Sequence, residues 1–367
     1  EQEDLIATDP VPIVDRADDD LGVLCFTSGT AGAPKAAMLT HGNLTVNLRQ
    51  VQAASEEGLR TDDVAFGLLP MFHIFGLNVV LGTSLALGSS VLLVERFDPV
   101  SALEAIEKHS VTTVSGPPTM WAAFAGLAGV GPEAMASVRL ASSGAAKLSP
   151  EVAEAVEGRY GLDLVEGYGL TEAAPVVASG LGVDAPRGSV GLPVPGLEVR
   201  LVVLDGNDVL IGDTGEVWVR GPNVFVGYWE DREATERVLD AQGWLHTGDL
   251  AVVDDDGFLY LVDRAKDLII VSGFNVFPAE VEEVLLEHPA IERAAVLGVA
   301  HPHTGEAVRA YVVTRDGFSV EEDDVVDFTA SRLARYKCPN KVTFVDEIPT
   351  GLGGKVIRRV LRESCLL

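Results

Sequence analysis

The sequence predicts an α/β fold: a large part built from βαβ layers, then antiparallel sheet, then a small α+β module. Three observations predict it. An apolar run at residues 21–26 opens into a loop of hydroxyls and glycines, followed by a helix-patterned stretch at 40–54. Helical and strand patterns then alternate from 101 to 165, the order that builds a parallel sheet. From 191 to 261 the text changes to short alternating strands with Gly/Asp turns, as in LEVRLVVLDGND and GEVWVRGP, which implies antiparallel pairing. A chain of 367 residues has room for two or three such domains.

In chain order, the loop after the first strand is the first chemically rich stretch. Thr27, Ser28 and Thr30 supply hydroxyl donors, Gly29 and Gly32 let backbone N–H groups approach an oxyanion, and Lys35 adds a cation. Together they suit a polyphosphate. A Walker-type loop is excluded, because Pro34 precedes Lys35 and Ala36 follows it, where that loop needs Gly and Ser/Thr. The competing assignment is a surface turn of small residues. Residues 65–94 carry no Asp, Glu, Lys or Arg, but Pro70, His73, Asn78 and four glycines interrupt them, so a buried strand–loop–helix–strand is expected rather than a membrane span. Within PMFHIFGL (70–77), His73 stands between aromatics, either as a core histidine or at the mouth of an apolar tunnel. A helix at 101–109, a strand at 112–114 and a strand at 138–141 lead to Ser142, Ser143, Gly144, Ala145 and Ala146, small residues at a strand end where α/β folds bind ligands.

A helix at 150–160 and a strand at 162–165 precede the loop EGYGLTE (166–172). There Tyr168 offers an aromatic face for a purine, Thr171 a hydroxyl for phosphate, and Glu172 a hard oxygen ligand for Mg²⁺. Within the antiparallel part, HTGD (246–249) and VDRAKD (262–267) each end a strand. Asp249 can hold ribose hydroxyls and Arg264 can answer it, with paired surface charges as the alternative. The small module reads as strand 268–271, helix 279–287, strands near 294–299 and 309–313, helix 319–334 and strand 341–344. It closes with PTGLGGKVIRRVLR, where Lys355 follows three glycines as either a catalytic cation or a solvated surface lysine.

Composition narrows the function. Hydrophobic residues at 47% and charged residues at 22% are ordinary for a folded globular chain. The net charge of −28 sets 55 acidic against 27 basic residues, only seven of them lysines, so nucleic acid is excluded as a partner and an anionic substrate must meet local positive sites. Cys25, Cys338 and Cys365 are odd in number and form no C-x-x-C pair, which argues against a disulfide framework or a zinc site and fits a reducing cytoplasm. The first twenty residues are acidic and carry no signal-peptide pattern.

Taken in order, TSGTAGAPKAAMLTHGNL, PMFHIFGL, SSGAAKLSPEV, EGYGLTE, GEVWVRGPNVFVGYW, GWLHTGDL, VDRAKDLIIVSGFNVFPAEVEE and PTGLGGKVIRRVLR resemble the signature blocks of adenylate-forming (AMP-binding) enzymes, and most closely those of fatty acyl-CoA synthetases. The resemblance runs from about Leu21 to Arg362. It implies a large domain over 1–262 with an antiparallel, barrel-like subdomain, a hinge at 263–266 pivoting on Lys266, and a mobile C-terminal α+β domain over 267–367. It also implies ATP, Mg²⁺ and coenzyme A. Thr27, Ser28, Gly29, Thr30, Gly32 and Lys35 would grip the β- and γ-phosphates. Tyr168 would stack on adenine beside Gly144 and Ala145, with Gly169 at the same loop. Thr171 would contact the α-phosphate, Glu172 the metal, and Asp249 with Arg264 the ribose. Lys355 would complete adenylation together with Thr171 and with His73, where the acyl carboxylate enters. His73, Phe75, Asn78, Gly82 and Gly167 would line the acyl pocket, and after domain rotation Gly273 would pass the pantetheine thiol.

Ala31 and Ala36 depart from the family's usual Thr and Gly. Relatives also carry a further subdomain before the phosphate loop, so the chain is expected to be N-terminally incomplete, or that part to be disordered or absent. The expected activity is an AMP-forming acid–CoA ligase acting on a fatty or other apolar carboxylic acid. The alternatives are a fatty acyl-AMP ligase that loads a carrier protein, and a degenerate nucleotide-binding module.

Overall fold

A computed structural model describes residues 12–27, 34–55, 58–203, 206–350 and 356–364. Strands β1 (Leu21–Thr27) and β2 (Lys35–Thr40) pair antiparallel, with Thr27 opposite Lys35. Helix α1 (His41–Ala54) starts at a capping box: the Thr40 side chain accepts from the Asn43 N–H, and the Asn43 side chain accepts from the Thr40 N–H. Its buried face is polar. Asn43 Nδ2 donates to the carbonyls of Pro222 and Val224, Asn47 Nδ2 to that of Val176, and Gln50 Nε2 to Asn223 Oδ1. Each buried amide finds a partner on a distant segment, so α1 ties separate sheets together.

The uncharged stretch folds as strand β3 (Val64–Gly67), a π-helix (Phe75–Gly82), helix α2 (Thr83–Leu87) and strand β4 (Ser90–Leu93), the strand–loop–helix–strand expected. Among the described residues no helix is long and apolar enough to cross a membrane. The alternation continues through α3 (Pro99–Lys108), β5 (Thr113–Gly116), α4 (Pro118–Gly126), β6 (Leu140–Ser143), α5 (Pro150–Tyr160) and β7 (Leu164–Gly169). Asp98 and Ser149 cap α3 and α5 ahead of a proline in the first turn, and Gly161, at φ 67°, ends α5. Strands β4-β3-β5-β6-β7 are parallel, and β8 (Val176–Ser179) and β9 (Leu192–Pro193) extend the sheet antiparallel to seven strands.

The first half of EGYGLTE is therefore strand, not loop. Gly167 pairs with Ser179 and Tyr168 with Ala178, so β8 carries β7 past the expected end at 165 as far as Gly169.

Strands β10 (Glu198–Val202), β11 (Gly215–Arg220), β12 (Gly227–Tyr228), β13 (Leu245–Val253) and β14 (Leu259–Arg264) supply the antiparallel part, with helix α6 (Arg232–Val238) before β13. The order β10-β11-β13-β14 makes a four-stranded sheet, while β12 leaves to pair with β2. The last module holds β15 (Ile269–Val271), β16 (Phe274–Val276), α7 (Pro278–Leu286), β17 (Ile291–His301), β18 (Gly305–Thr314), α8 (Glu322–Ala330), β19 (Lys341–Phe344) and α9 (Arg358–Ser364). Helix α8 is shorter than the expected 319–334: a Glu321–Asp324 capping box starts it, and a separate turn at Arg335–Lys337 follows it. Buried apolar residues form one cluster around Trp121 and Phe124 and another around Leu39 and Val217; those around Ile269 and Leu297 draw only on residues from 269 onward.

Candidate functional site

A cavity of about 1100 Å³ opens at the carboxyl ends of the parallel strands, where an open α/β sheet places ligands. Each element delivers its residues by its end. The hairpin brings Thr27 and Lys35, the turn before the π-helix brings His73 and the start of that helix Phe75, β6 leads into Gly144 and Ala145, and β7 carries Gly167, Tyr168 and Gly169. Thr171 and Glu172 follow on a short turn, while Arg264 and Lys266 enter from β14 and the turn after it. Six basic and five acidic side chains line the cavity, in a chain that carries 27 and 55. The site thus escapes the chain's overall negative field and can accept an anion.

Two hydrogen-bonded groups organise it. Tyr168, 7% exposed, donates its hydroxyl to Asp249 Oδ2 at 2.7 Å, and Arg264 Nε lies 2.8 Å from Asp249 Oδ1. Burial and the Asp249 charge push the Tyr168 hydroxyl well above its ordinary pKa, so it remains a donor. Asp249 is buried next to Gly248, which lines the cavity, and its two oxygens hold the Tyr168 and Arg264 side chains. In the second group Tyr228 donates to Glu172 Oε1 at 2.7 Å, and Lys35 Nζ stands 5.0 Å from the Tyr228 ring centroid. Burial, with the Glu172 charge, raises the Tyr228 hydroxyl too. Glu172 is the hard ligand available to a Mg²⁺ carried with phosphates, since one carboxylate keeps lone pairs beyond the one that Tyr228 uses. No cluster of three His, Cys, Asp or Glu converges among the described residues, so any metal here would take most of its ligands from substrate and water.

Glycine is required at one of these positions: a Cβ on Gly169 would stand 2.3 Å from the Pro175 carbonyl oxygen. Ala145, by contrast, holds φ 70° with a side chain, a left-handed backbone that costs about 1 kcal/mol or slightly more. Burial lowers the pKa of His73, and its Nδ1 accepts from the Phe75 N–H. Beyond Phe75 the cavity wall carries Val79, Val80, Leu87, Leu140 and Val165, with the hydroxyls of Thr83, Ser115 and Ser142 among them, a mainly apolar surface that suits an apolar chain.

The sequence model of AMP-binding enzymes matches residues 1–229, and that of the AMP-binding enzyme C-terminal domain matches 280–355. The chain belongs to the AMP-binding enzyme family. It is 40% identical over 349 residues to a long-chain-fatty-acid–CoA ligase of Escherichia coli O157:H7, covering 94% of this chain and 62% of that protein. To a feruloyl-CoA synthase of Amycolatopsis it is 42% identical over 358 residues, covering 97% and 72%. ATP-bound MatB from Rhodopseudomonas palustris superposes with a TM-score of 0.90 at 35% identity, over 96% of this chain and 69% of that one. The o-succinylbenzoate CoA synthetase of Bacillus subtilis in complex with its acyl-adenylate gives 0.85 at 33% identity, over 94% and 70%. The chain thus spans about three fifths of the length of the fatty-acid ligases it matches.

Within this AMP-binding fold, three expected residues lie away from the cavity. Asn78 is buried, and its amide donates to the carbonyls of Leu44 and Ala174, so it anchors the π-helix instead of lining an acyl pocket. Gly82 packs one helical turn on, where a Cβ would meet Asn78 Oδ1 at 2.7 Å. Gly273, at φ 85°, forms the exposed turn between β15 and β16. Ser28, Gly29, Thr30, Gly32 and Lys355 lie outside the described residues.

Other cavity residues carry little signal in the sequence. Tyr228 stands out only by its place in VFVGYW, and Arg358 only by its place after Lys355 in GKVIRR. Glu166 also lines the cavity, with a carboxyl that burial pushes up to about 6.

Proposed function

We propose that this chain forms the nucleotide- and acyl-binding part of an AMP-forming acyl-CoA synthetase, with residues 1–262 as the large domain and 267–367 as a small domain that turns on Lys266. One observation carries the proposal: the Tyr168–Asp249–Arg264 group and the Lys35–Tyr228–Glu172 group flank a single cavity that continues into an apolar wall. A nucleotide, a polyphosphate and an apolar acid thus share one space. Tyr168 would lie against the adenine beside Gly144 and Ala145. Asp249 would take the ribose hydroxyls on the lone pairs that Tyr168 and Arg264 leave. Thr27 and Lys35 would hold the distal phosphates, and Thr171 the α-phosphate.

In the first step an acyl carboxylate oxygen attacks the α-phosphorus, forming the acyl–phosphate bond and expelling pyrophosphate in line. His73, at the entry to the apolar wall, would meet the incoming carboxylate with its Nε2–H, because its Nδ1 accepts from the Phe75 N–H. Lys355 would then answer the charge that develops at the α-phosphoryl oxygens. Mg²⁺ bound at Glu172 would neutralise phosphate charge. In the second step the small domain turns, the CoA thiol gives its proton to solvent and its sulfur attacks the acyl carbonyl past Gly273, and the thioester forms as the acyl–oxygen bond to phosphate breaks and AMP leaves. Cys25 and Cys338, unpaired, fit a reducing cytoplasm.

The test is acid-dependent pyrophosphate release with a panel that includes long-chain fatty acids and hydroxycinnamic acids, followed by thioester formation with free CoA. Release only with acid present, then a CoA thioester, is expected. Acyl-adenylate without thioester would favour the carrier-loading alternative, and no release with any acid would sink the ligase proposal.

A further inference from the structure

We propose that Arg358 is a positioning residue that fixes the small module's wall of the cavity, and that adenylation depends on it far more than thioester formation does. The inference rests on the ligase function proposed above. Val356, Ile357, Arg358 and Arg362 line the cavity, so this short segment is the face that the small module turns toward the nucleotide. Its backbone is clipped where it begins: Val356 bridges to Thr350, and the Ile357 N–H donates to the Pro349 carbonyl at 2.8 Å. Leu361 is buried among Ala295, Leu297, Tyr311 and Ile348, with Val356 packed against that cluster, and the ionic part of the anchorage centres on one guanidinium. Arg358 Nη2 lies 2.7 Å from Glu282 Oε1 on α7, Nη1 lies 3.5 Å from Asp267 Oδ2 beside Lys266, and Nε donates to the Val296 carbonyl on β17 at 3.3 Å. Its side chain is 14% exposed, against 17% for Glu282 and 7% for Asp267.

A guanidinium is suited to this position because its planar fork reaches two carboxylates and a carbonyl at once, which an ammonium cannot do from one point. Asp267 Oδ1 also meets Arg362 Nη2 at 3.3 Å, so two cavity-lining arginines converge on the carboxylate next to the proposed pivot. The consequence is directional. The segment shapes the cavity only while the small module faces the nucleotide, so loosening it should disturb phosphoryl chemistry and spare the step that follows rotation.

The experiment uses Arg358→Lys, with Glu282→Gln as a second variant that keeps an acceptor at Oε1 should the first fail to fold. Three quantities are read: acid-dependent pyrophosphate release, CoA thioester formation from supplied acyl-adenylate, and deuterium uptake across 356–364. Adenylation kcat is expected to fall about 10- to 100-fold, the cost of a small misplacement at a reacting centre. Thioester formation from supplied acyl-adenylate should stay within about two-fold, and uptake should rise in 356–364 alone. An equal fall in both half-reactions, or unchanged adenylation with unchanged uptake, would overturn the proposal. A wild-type protein that releases no pyrophosphate with any acid would instead sink the ligase function, while deuterium uptake would still report on the anchorage.

Discussion

Replacing Tyr168 by Phe removes one hydroxyl and nothing else, which makes its effect calculable. The ring keeps its volume in the buried position, so no cavity term enters. What is lost is the 2.7 Å hydrogen bond to Asp249 Oδ2, in a carboxylate whose residue is only 7% exposed. Hydrogen bonds to charged groups contribute about 1.5–3 kcal/mol, and a buried acceptor left without its donor costs a similar amount. Arg264 stays on the other oxygen at 2.8 Å, so the charge itself remains compensated and the loss does not exceed that range. At about 2–4 °C per kcal/mol for a domain of this size, the melting temperature should fall by about 3–12 °C.

The pH dependence has a definite sign. Burial and Asp249 raise the Tyr168 pKa above that of the unfolded chain, so its contribution is fully present below about pH 10 and is lost only as pH climbs beyond. The deficit of the Phe variant should therefore be flat from about pH 6 to 9. Differential scanning fluorimetry over that range, with a double-mutant cycle against Asp249→Asn, is the assay. A melting temperature within about 1 °C of wild type, or strict additivity in the cycle, would refute the reasoning.

Glu166→Gln should act in the opposite direction. The folded carboxyl titrates at about 6 against an ordinary 4.5, so its contribution is present below the lower value and is lost as pH rises through the upper one; the substitution should stabilise above about pH 6 by at most about 2 kcal/mol, reduced by solvent screening, and little at pH 4.5, as melting curves at the two pH values would reveal. Asn78→Ala leaves the carbonyls of Leu44 and Ala174 without their donor, and urea titration should record a loss of about 2–4 kcal/mol with acid preference unchanged, because the side chain does not line the cavity. Lys147→Ala breaks an ion pair with Glu283 whose side chains are both about half exposed, so denaturation should change by less than about 1 kcal/mol, and the difference should vanish in high salt.

The elements that a reader of the sequence finds are those whose signal is local. The alternation from 101 to 165 and the turn-punctuated strands after 191 carry their period in neighbouring residues, and they fold as that period requires. The π-helix does not. Phe75–Gly82 is almost uniformly apolar, and what fixes it is the Asn78 amide, whose partners Leu44 and Ala174 lie 34 and 96 residues away. The same distance hides the strand in EGYG, which is decided by β8, and the Tyr228–Glu172 bond, which spans 56 residues. Cavity residues were legible where the chemistry needs a particular atom type at a strand end, as with Tyr168, Glu172 and Arg264. Asp249 and Arg264 were legible as a pair too, but the Tyr168 hydroxyl that completes their group, 81 residues from Asp249, shows only in three dimensions.

That arrangement also bears on how a turn at Lys266 could be reversible. Two ion pairs flank the proposed pivot: Asp249 with Arg264 joins β13 to β14 on one side, and Asp267 with Arg358 lies wholly in the small module on the other. Rotation between them leaves each intact, so neither charge is stranded, the event that would cost several kcal/mol for a buried pair. Two polar contacts that cross are of another kind. Asp263 Oδ2 accepts from the Ala279 N–H at 2.9 Å at the start of α7, and Lys147 pairs with Glu283 one turn further along that helix. A helix-capping bond contributes about 1 kcal/mol and an exposed ion pair less. The strong ion pairs beside the proposed pivot therefore lie inside the two proposed bodies, and these weaker contacts lie between them, as a two-position domain would need if both positions are to be populated within a few kcal/mol of each other.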